Sequence, residues 1–467
     1  MQSKVVAQSN SALAPRVAII GGLARRIVTL TMAMASFAFA GRSHAQIDLP
    51  PGVQMLVEEA EENYFDGDYA NAGRLLREAE TWTDDAANKL ELARWGVDHS
   101  IVKVILAGLR AEIYQAQGEY GKARAALATA ETTLGNRRSA YVARRIFPEV
   151  LWQYEAFLLF MRGDLMRPEP DFGLAEDTGL PADVRDFLVA RGNPSESIRA
   201  YRRAEATLGK PMARQGQDRY QSNRLEGRMF TNLAWIRVLK AGRPSKQDIS
   251  DAEACLERGE TAFSRNVFWQ HCFQEEHFGR IPRALKDIDP SVFGTKGTLK
   301  LKRAFTQAIS DWTSMELLRV EMTAYQEAGS PSADDSLSVT TEQKYDRIVG
   351  FLKSQYTATH PRVQSVRLSR ARWLVVAARP TVLTPETRFS LLQDCLLELD
   401  GIDKLGARDM DQKQIVEIAA RRLMLGIDAK TSRFTPAEKQ ECESRVEELI
   451  ASFRSRVRAT PARKDDQ

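Results

Sequence analysis

The sequence predicts an all-α protein built largely from helical hairpins. From Gln54 onward, apolar residues recur mostly at spacings of three and four, and no segment shows sustained two-residue alternation bounded by turn dipeptides. Hydrophobic residues make up 43% of the 467-residue chain and charged residues 27%, which is enough apolar content for packed cores. Two segments also repeat a glycine, an aromatic residue and small residues at the same spacing. We therefore expect helices that pack in pairs.

The first 45 residues have the order of a secretory signal peptide. Arg25 and Arg26 precede an uncharged run over 27–40, and small residues follow at Ser43 and Ala45. A helix over that run would be about 21 Å long, shorter than the roughly 30 Å hydrocarbon core of a bilayer, which disfavours a membrane anchor. We expect cleavage after Ala45, by the general or the twin-arginine route, and a periplasmic or secreted protein without a membrane span.

Removal of this segment would leave the protein almost neutral. The whole chain has 66 Lys and Arg against 62 Asp and Glu, a net charge of +4. Residues 1–45 hold five of the basic residues and no acidic one, which leaves 61 against 62 and a net charge of −1. A general electrostatic attraction to nucleic acid is therefore not expected. A local basic patch between Arg454 and Lys464 stays open.

Capping residues and loops divide the remaining chain. Thr384-Pro385-Glu386 and the segment 435–438 each supply a hydroxyl cap, a proline and an acidic residue, which predicts helices at about 385–400 and 436–457. Prolines, glycines and serines predict loops at 162–179, 281–297 and 329–339. The expected regions are a helical repeat region over 46–280, a linker over 281–297, a C-terminal α-helical region over 298–457 and a disordered tail over 458–467.

A repeated pattern occupies 60–79 and 111–130. Each copy places a glycine at a turn, where positive φ or close approach is needed, then an aromatic residue and small residues that let two helices touch. The first copy comprises Ala60, Gly67, Tyr69, Ala72, Leu76 and Ala79, and the second Ala111, Tyr114, Gly118, Tyr120, Ala123, Leu127 and Ala130.

This pattern resembles the tetratricopeptide repeat, a helix-turn-helix of about 34 residues. The two turn glycines are 51 residues apart, so we expect an additional turn, or a lengthened helix over 86–117, between the copies. A weaker third copy follows Gly192, with Pro194 in place of the aromatic, and a fourth spans 232–259. The resemblance implies a degenerate helical-hairpin solenoid, followed after Ile281 by irregular α-helices.

The resemblance also implies a binding surface on the first helix of each hairpin. Such surfaces bind extended peptides or partner helices, so we expect a protein or peptide partner. An acidic residue at the same inner position in three copies, Glu61, Glu112 and Asp186, would favour a basic segment or a free amino terminus, although charged helix residues are also ordinary solvated surface. The implied surface comprises Val57, Glu61, Tyr64, Phe65, Gly108, Glu112, Gln115 and Asp186.

Four cysteines lie outside the expected signal peptide: Cys255, Cys272, Cys395 and Cys442. An oxidising compartment permits disulfides, and the simplest pairings join neighbours in the sequence. Since each cysteine lies in a helical pattern, buried free thiols are the alternative.

No catalytic or metal-binding motif stands out. The segment His271 to His277 is the densest group of potential ligands, but it lacks the two-histidine spacing of a zinc protease, and a helix with a buried Cys272 is the simpler interpretation. We expect neither metal nor cofactor, and a non-enzymatic scaffold of the bacterial cell envelope that binds protein or peptide. The alternatives are an α-helical toroid that cleaves cell-wall or polysaccharide glycosidic bonds with paired carboxylates, and a structural assembly subunit.

Overall fold

The computed structural model describes most of the chain after residue 48. Within that part the secondary structure is α-helical apart from one short β-hairpin and a 3-10 turn at Leu285–Asp287, which confirms the all-α prediction. None of the described helices is long and apolar enough to cross a membrane. The expected signal peptide and Asp186 lie outside the described residues. The residues that the structure describes are 49–94, 97–143, 149–167, 180–184, 192–208, 219–240, 245–265, 269, 272–276, 279–283, 285–288, 297–328, 337–379 and 383–459.

The helices divide into those before and those after the β-hairpin. Those before it are α1 (Pro51–Phe65), α2 (Tyr69–Asp84), α3 (Ala86–Arg94), α4 (His99–Ala116), α5 (Tyr120–Ala143), α6 (Glu149–Leu165), α7 (Pro194–Leu208), α8 (Arg219–Lys240) and α9 (Lys246–Ser264). Those after it are α10 (Gly297–Ala328), α11 (Leu337–Gln355), α12 (Pro361–Ala377), α13 (Pro385–Leu399), α14 (Ala407–Thr431) and α15 (Pro436–Ala459).

The β-hairpin corrects the expectation of a helix over 271–277. Strand β1 (Phe273–Glu276) pairs antiparallel with β2 (Gly279–Pro282), with Phe273 opposite Pro282. Phe273 is buried, and its ring centroid lies 4.4 Å from that of Trp269. So short a segment fits either a strand or a helix, and the backbone pairing that decides between them leaves no periodic signal in so few residues.

Both helix starts predicted from capping residues are confirmed. The backbone N–H of Thr387 donates to Thr384 Oγ1 at 3.2 Å, at the start of α13. At the start of α15, the Glu438 N–H donates to Thr435 Oγ1 at 3.3 Å, and the Thr435 N–H donates to Glu438 Oε2 at 2.8 Å. These capping interactions satisfy backbone donors that a helix leaves unpaired. Helix α15 continues through Ala459, into the segment expected to be a disordered tail.

Consecutive helices pack as hairpins. The packed pairs are α1 with α2, α4 with α5, α6 with α7, α8 with α9, α10 with α11, α12 with α13, and α14 with α15. The first helices of successive hairpins also contact one another, in the order α4, α6, α8, α10, α12 and α14. The short helix α3 lies between the first two hairpins and accounts for the long spacing between the two turn glycines.

The repeated residues of the first two hairpins are used in turns and packing. Gly67 has a φ of +83° and Gly118 a φ of +79°, a conformation that side chains with a Cβ rarely adopt. The small residues between the paired helices are almost fully buried: Ala72, Ala79, Ala111, Ala123 and Ala130. Tyr64 and Tyr69 meet edge to face, with ring centroids 5.6 Å apart.

The C-terminal hairpins return to the N-terminal ones. Helix α14 contacts α4, and the guanidinium of Arg408 donates to the backbone oxygen of Leu165 at 3.4 Å. The turn at Gly67 lies against Pro361 and the backbone oxygen of Lys404. One hydrophobic cluster extends from Ile101 to Phe453, so the segment 281–297 does not separate two cores. A smaller cluster lies around the first hairpin.

The disulfide pairings that the sequence left open are not formed. All four cysteines, Cys255, Cys272, Cys395 and Cys442, are free and buried. Burial raises the pKa of each thiol, which keeps it protonated at neutral pH. Cys255, Cys272 and Cys395 serve as small apolar groups of the main hydrophobic cluster, and the Cys442 thiol donates to the backbone oxygen of Arg421 at 3.7 Å.

Candidate functional site

A cavity of about 590 Å³ lies between the first helices of the hairpins. Helices α1, α4, α6, α8, α10, α12 and α14 all contribute to its lining, so both ends of the chain take part. Its aromatic lining comprises Tyr64, Phe65, Tyr69, Tyr154, Phe157 and Phe263. Its charged lining comprises Glu58, Glu61, Glu112, Asp164, Asp311, Asp409, Arg167, Arg224, Arg228 and Arg362.

The structure brings most of the predicted groove residues together in this cavity. Val57, Glu61, Tyr64, Phe65 and Glu112 all line it. Gln115 lies beside it, where its side-chain amide donates to the backbone oxygen of Asp164 at 3.4 Å. Gly108 makes room for Phe157: a Cβ built on this glycine would lie 2.5 Å from the Phe157 ring.

The third hairpin pairs α6 with α7, and the carboxylate that it contributes to the cavity is Asp164. The expected inner residue of the third copy, Asp186, lies outside the described residues. Gly163 allows the close approach of the two helices, since a Cβ there would lie 2.6 Å from the Tyr201 ring. The Ser197 hydroxyl also donates to the Gly163 backbone oxygen at 2.6 Å.

Two carboxyl groups in the cavity have raised pKa values. Burial is the main cause of the raised pKa of Glu112, and the nearby carboxylates of Asp164 and Glu61 raise it further, while Arg228 opposes them. Burial likewise raises the pKa of Asp409, against the attraction of nearby arginines. A carboxyl group with a raised pKa can hold or release a proton nearer neutral pH than an exposed one.

Arginines from α8 form a second, basic part of the lining. Arg224 donates to both oxygens of Asp311, at 2.6 and 3.1 Å. Arg228 has weaker partners: its guanidinium lies 3.8 Å from Asp311 and 4.0 Å from Glu112, and it stacks over the Phe160 ring at 4.7 Å. The single carboxylate of Asp311 is therefore shared between two arginines.

Arg362, on α12, is the most buried of these arginines. Its side chain lies between the rings of Phe65 and Tyr356, at 5.2 and 5.3 Å from their centroids. Its Nη1 donates to the Tyr356 hydroxyl at 2.7 Å, while Nη2 is buried without a hydrogen-bond partner. Burial lowers the pKa of its guanidinium, because water no longer stabilises the charge.

The repeat pattern in the sequence does not indicate this basic side of the cavity. Arg224 and Arg228 are four residues apart, a spacing that places both on one face of α8, but their hairpin carries only a weak repeat pattern. Arg362, Asp311 and Asp409 come from the half of the chain without any repeat pattern. They reach the cavity because the C-terminal hairpins return to the N-terminal ones.

The lining offers acidic, basic and aromatic side chains, so it can bind a ligand that carries both a positive and a negative group. Among the described residues, no group of three His, Cys, Asp or Glu side chains is placed to hold a metal ion. Comparison with protein-family models and with curated proteins finds no match. The geometry of the cavity is therefore the basis for assigning a function.

Proposed function

We propose that this chain is an exported peptide-binding protein of the bacterial cell envelope, built as a degenerate tetratricopeptide-like solenoid. The observation that carries the proposal is the cavity itself, in which Glu61 and Glu112 lie together with aromatic side chains. Ligand pockets of this kind are concave and partly apolar, with a few convergent polar groups. The cavity takes the end of a peptide rather than a whole partner helix.

The helix contacts support the solenoid part of the proposal. Each hairpin contacts the next, and the first helices follow one another around the cavity. This is the arrangement that stacked helical hairpins adopt when each one buries its apolar face on its neighbour. The first two hairpins carry the repeat pattern, and the later ones keep the packing with different residues.

The carboxylates support recognition of a free amino terminus. Glu61, Glu112 and Asp164 are close enough for the charges of the other two to raise the pKa of Glu112. A peptide ammonium placed among them would relieve this repulsion and form charge-assisted hydrogen bonds. The aromatic rings of Tyr64, Tyr154 and Phe157 would contact the adjoining peptide side chains.

A random tripeptide library tests this proposal. We expect native mass spectrometry of the purified protein to show bound tripeptides from the free library and none from the same library acetylated at its amino termini. The double variant Glu61→Gln and Glu112→Gln should lose at least tenfold in bound fraction, because it removes the negative charges and keeps the side-chain shape.

A matched pair of exposed residues supplies the control. Glu441 and Glu443 lie on the exposed face of α15, away from the cavity, so their replacement by Gln should leave the bound fraction unchanged. Equal binding of the free and acetylated libraries would contradict recognition of the amino terminus. Failure to bind either library would contradict peptide binding as a whole.

Hydrolysis of a glycosidic bond is the second candidate, and the two carboxyl groups with raised pKa favour it. Glu112 and Asp409 share one cavity, and a buried carboxyl group with a raised pKa can serve as the general acid that cleavage of glycosides requires. Release of reducing ends from cell-wall polysaccharide, lost in both Glu112→Gln and Asp409→Asn, would support this candidate. Absence of release by the unaltered protein would exclude it for that substrate.

Export is the part of the proposal that depends on residues 1–45. Expression with a secretion-competent host should yield a periplasmic or secreted protein whose first residue is Gln46. Intact-mass measurement of the exported protein checks this. Retention of residues 1–45 in the mature protein would contradict the signal peptide.

A further inference from the structure

We infer that the cavity contains a second subsite, centred on Arg362, that binds the carboxylate of the ligand. The ligand would then be a short peptide with both ends free, its ammonium among Glu61, Glu112 and Asp164 and its carboxylate at the arginines. This inference rests on the proposed function, because it assigns the other end of the same peptide.

Arg362 is a buried cation that forms no ion pair with the described residues, and the Asp311 carboxylate that acts on its charge is already paired with Arg224. Arg362 is 7% exposed. In the part of the chain that the structure describes, no carboxylate forms an ion pair with its guanidinium. Its one side-chain hydrogen bond goes to a neutral hydroxyl, that of Tyr356. A buried charge is costly unless it is paired, so an anion at this position would be strongly favoured.

Two other buried arginines and the half-buried Arg224 have their partners within the protein. Arg372 lies 2.7 Å from the carboxylate of Glu321, and Arg408 donates to the backbone oxygens of Asp164 and Leu165. Arg224 is bidentate on Asp311. Arg362 differs from these three in lining the cavity with its Nη2 unused.

The surroundings of Arg362 favour a carboxylate. A guanidinium presents a planar set of donors that matches the two oxygens of a carboxylate. Arg224 acts on the charge of Arg362, and Arg224 and Arg228 share the Asp311 carboxylate, so together they supply further positive charge in the same cavity. The Tyr356 hydroxyl and the two flanking rings hold the Arg362 side chain in place, so little conformational entropy is lost on binding.

The size of the cavity limits the ligand. A volume of about 590 Å³ falls in the range of roughly 300 to 1,000 Å³ that small-molecule pockets occupy. With acidic residues and arginines in one cavity of this size, a ligand of a few residues can present both of its charged ends to the lining. A long peptide that extends out of the cavity would leave its carboxyl end outside the cavity.

The test compares peptide libraries that differ only at their carboxyl ends. The purified protein is mixed with the random tripeptide library as free acids or as carboxyl-terminal amides, both with free amino termini, and the bound fraction is measured by native mass spectrometry. We expect the amides to bind at least tenfold less. Sodium acetate should compete with the free acids more strongly than sodium chloride at equal ionic strength.

Variants locate the effect at Arg362. Arg362→Gln should reduce binding of the free acids about tenfold and leave the residual binding of the amides unchanged. Arg362→Lys keeps the charge, so its binding of the free acids should lie between that of the unaltered protein and that of Arg362→Gln. The control is Arg433→Gln, because Arg433 also lies over an aromatic ring, that of Phe389 at 5.7 Å, but does not line the cavity. It should bind like the unaltered protein.

The outcomes separate the two proposals. Equal binding of acids and amides by the unaltered protein would overturn the carboxylate subsite and leave recognition of the amino terminus standing. Binding of neither library would overturn both. Because this comparison uses the unaltered protein, it decides the matter even if the Arg362 variants fail to fold.

Discussion

The turn of the second hairpin meets the start of α14 at Gly118 and Ala407. A Cβ built on Gly118 would lie 2.9 Å from the Cβ of Ala407, closer than two carbon atoms approach without strain. Gly118 also has a φ of +79°. The same glycine therefore forms a local turn and allows the contact by which the C-terminal hairpins return to the N-terminal ones.

Gly118→Ala is expected to destabilise the protein by about 1 to 3 kcal/mol. The positive φ alone costs a residue with a Cβ roughly 1 to 2 kcal/mol, and the contact with Ala407 adds to that. Gly121→Ala is the control: nothing lies within 4 Å of its Cβ, and alanine in a helix is about 1 kcal/mol better than glycine. In urea unfolding, Gly118→Ala should have a lower free energy of unfolding than the unaltered protein and Gly121→Ala a higher one. Similar changes in both variants would contradict the turn geometry.

Packing within the second hairpin gives the next prediction. Ala123 is completely buried where α5 meets α4, so Ala123→Leu should overpack the contact and lower the free energy of unfolding by about 1 to 3 kcal/mol. Ala125 lies on the exposed side of the same helix, and Ala125→Leu should change it by less than about 0.5 kcal/mol. An unchanged melting temperature for Ala123→Leu would mean that the two helices are not in close contact.

These features differ in how far the sequence could predict them. The turn glycines, the alanines between paired helices and the caps at Thr384 and Thr435 are local, so a few residues of sequence suffice to predict them. The contact of Gly118 with Ala407 joins residues far apart in the chain, and no spacing encodes it. Arg362 reaches the cavity through the same return of the chain, which is why the repeat pattern predicted the acidic side of the cavity and not the basic one.

A buried ion pair between α10 and α12 gives the third prediction. Glu321 accepts hydrogen bonds from Arg372 at 2.7 Å and from the Ser369 hydroxyl at 2.6 Å, and both charged residues are buried. Arg372→Met should cost about 3 to 5 kcal/mol, because it leaves the Glu321 carboxylate buried without its counterion. The double variant with Glu321→Gln should recover at least half of that loss, since it removes the uncompensated charge.

An exposed pair provides the comparison for this cycle. Arg74 pairs with Glu78 one turn along α2, and both side chains are about half exposed. Arg74→Met should therefore cost no more than about 1 kcal/mol in the same urea titration. If the Arg372 and Arg74 variants lost equal stability, burial of the Glu321 pair would not be the cause.

The pH dependence of stability should reveal the buried carboxyl of Glu112. Because burial raises its pKa in the folded state, the folded protein takes up this proton at a higher pH than the unfolded chain does. At pH 7 the group costs stability. As the pH falls through the raised pKa towards about 4.3, the usual value of Glu, the carboxyl becomes neutral in both states and this cost disappears.

Glu112→Gln removes this titration and so isolates it. The variant should melt at a higher temperature than the unaltered protein at pH 7, and the difference should shrink as the pH approaches 4, because the unaltered protein is then also neutral at this position. Glu441→Gln, at an exposed position, should show no such trend. A Glu112→Gln variant that is less stable than the unaltered protein at pH 7 would contradict this prediction. It would show that the attraction of the Glu112 carboxylate to Arg228, 4.0 Å away, outweighs the cost of its burial.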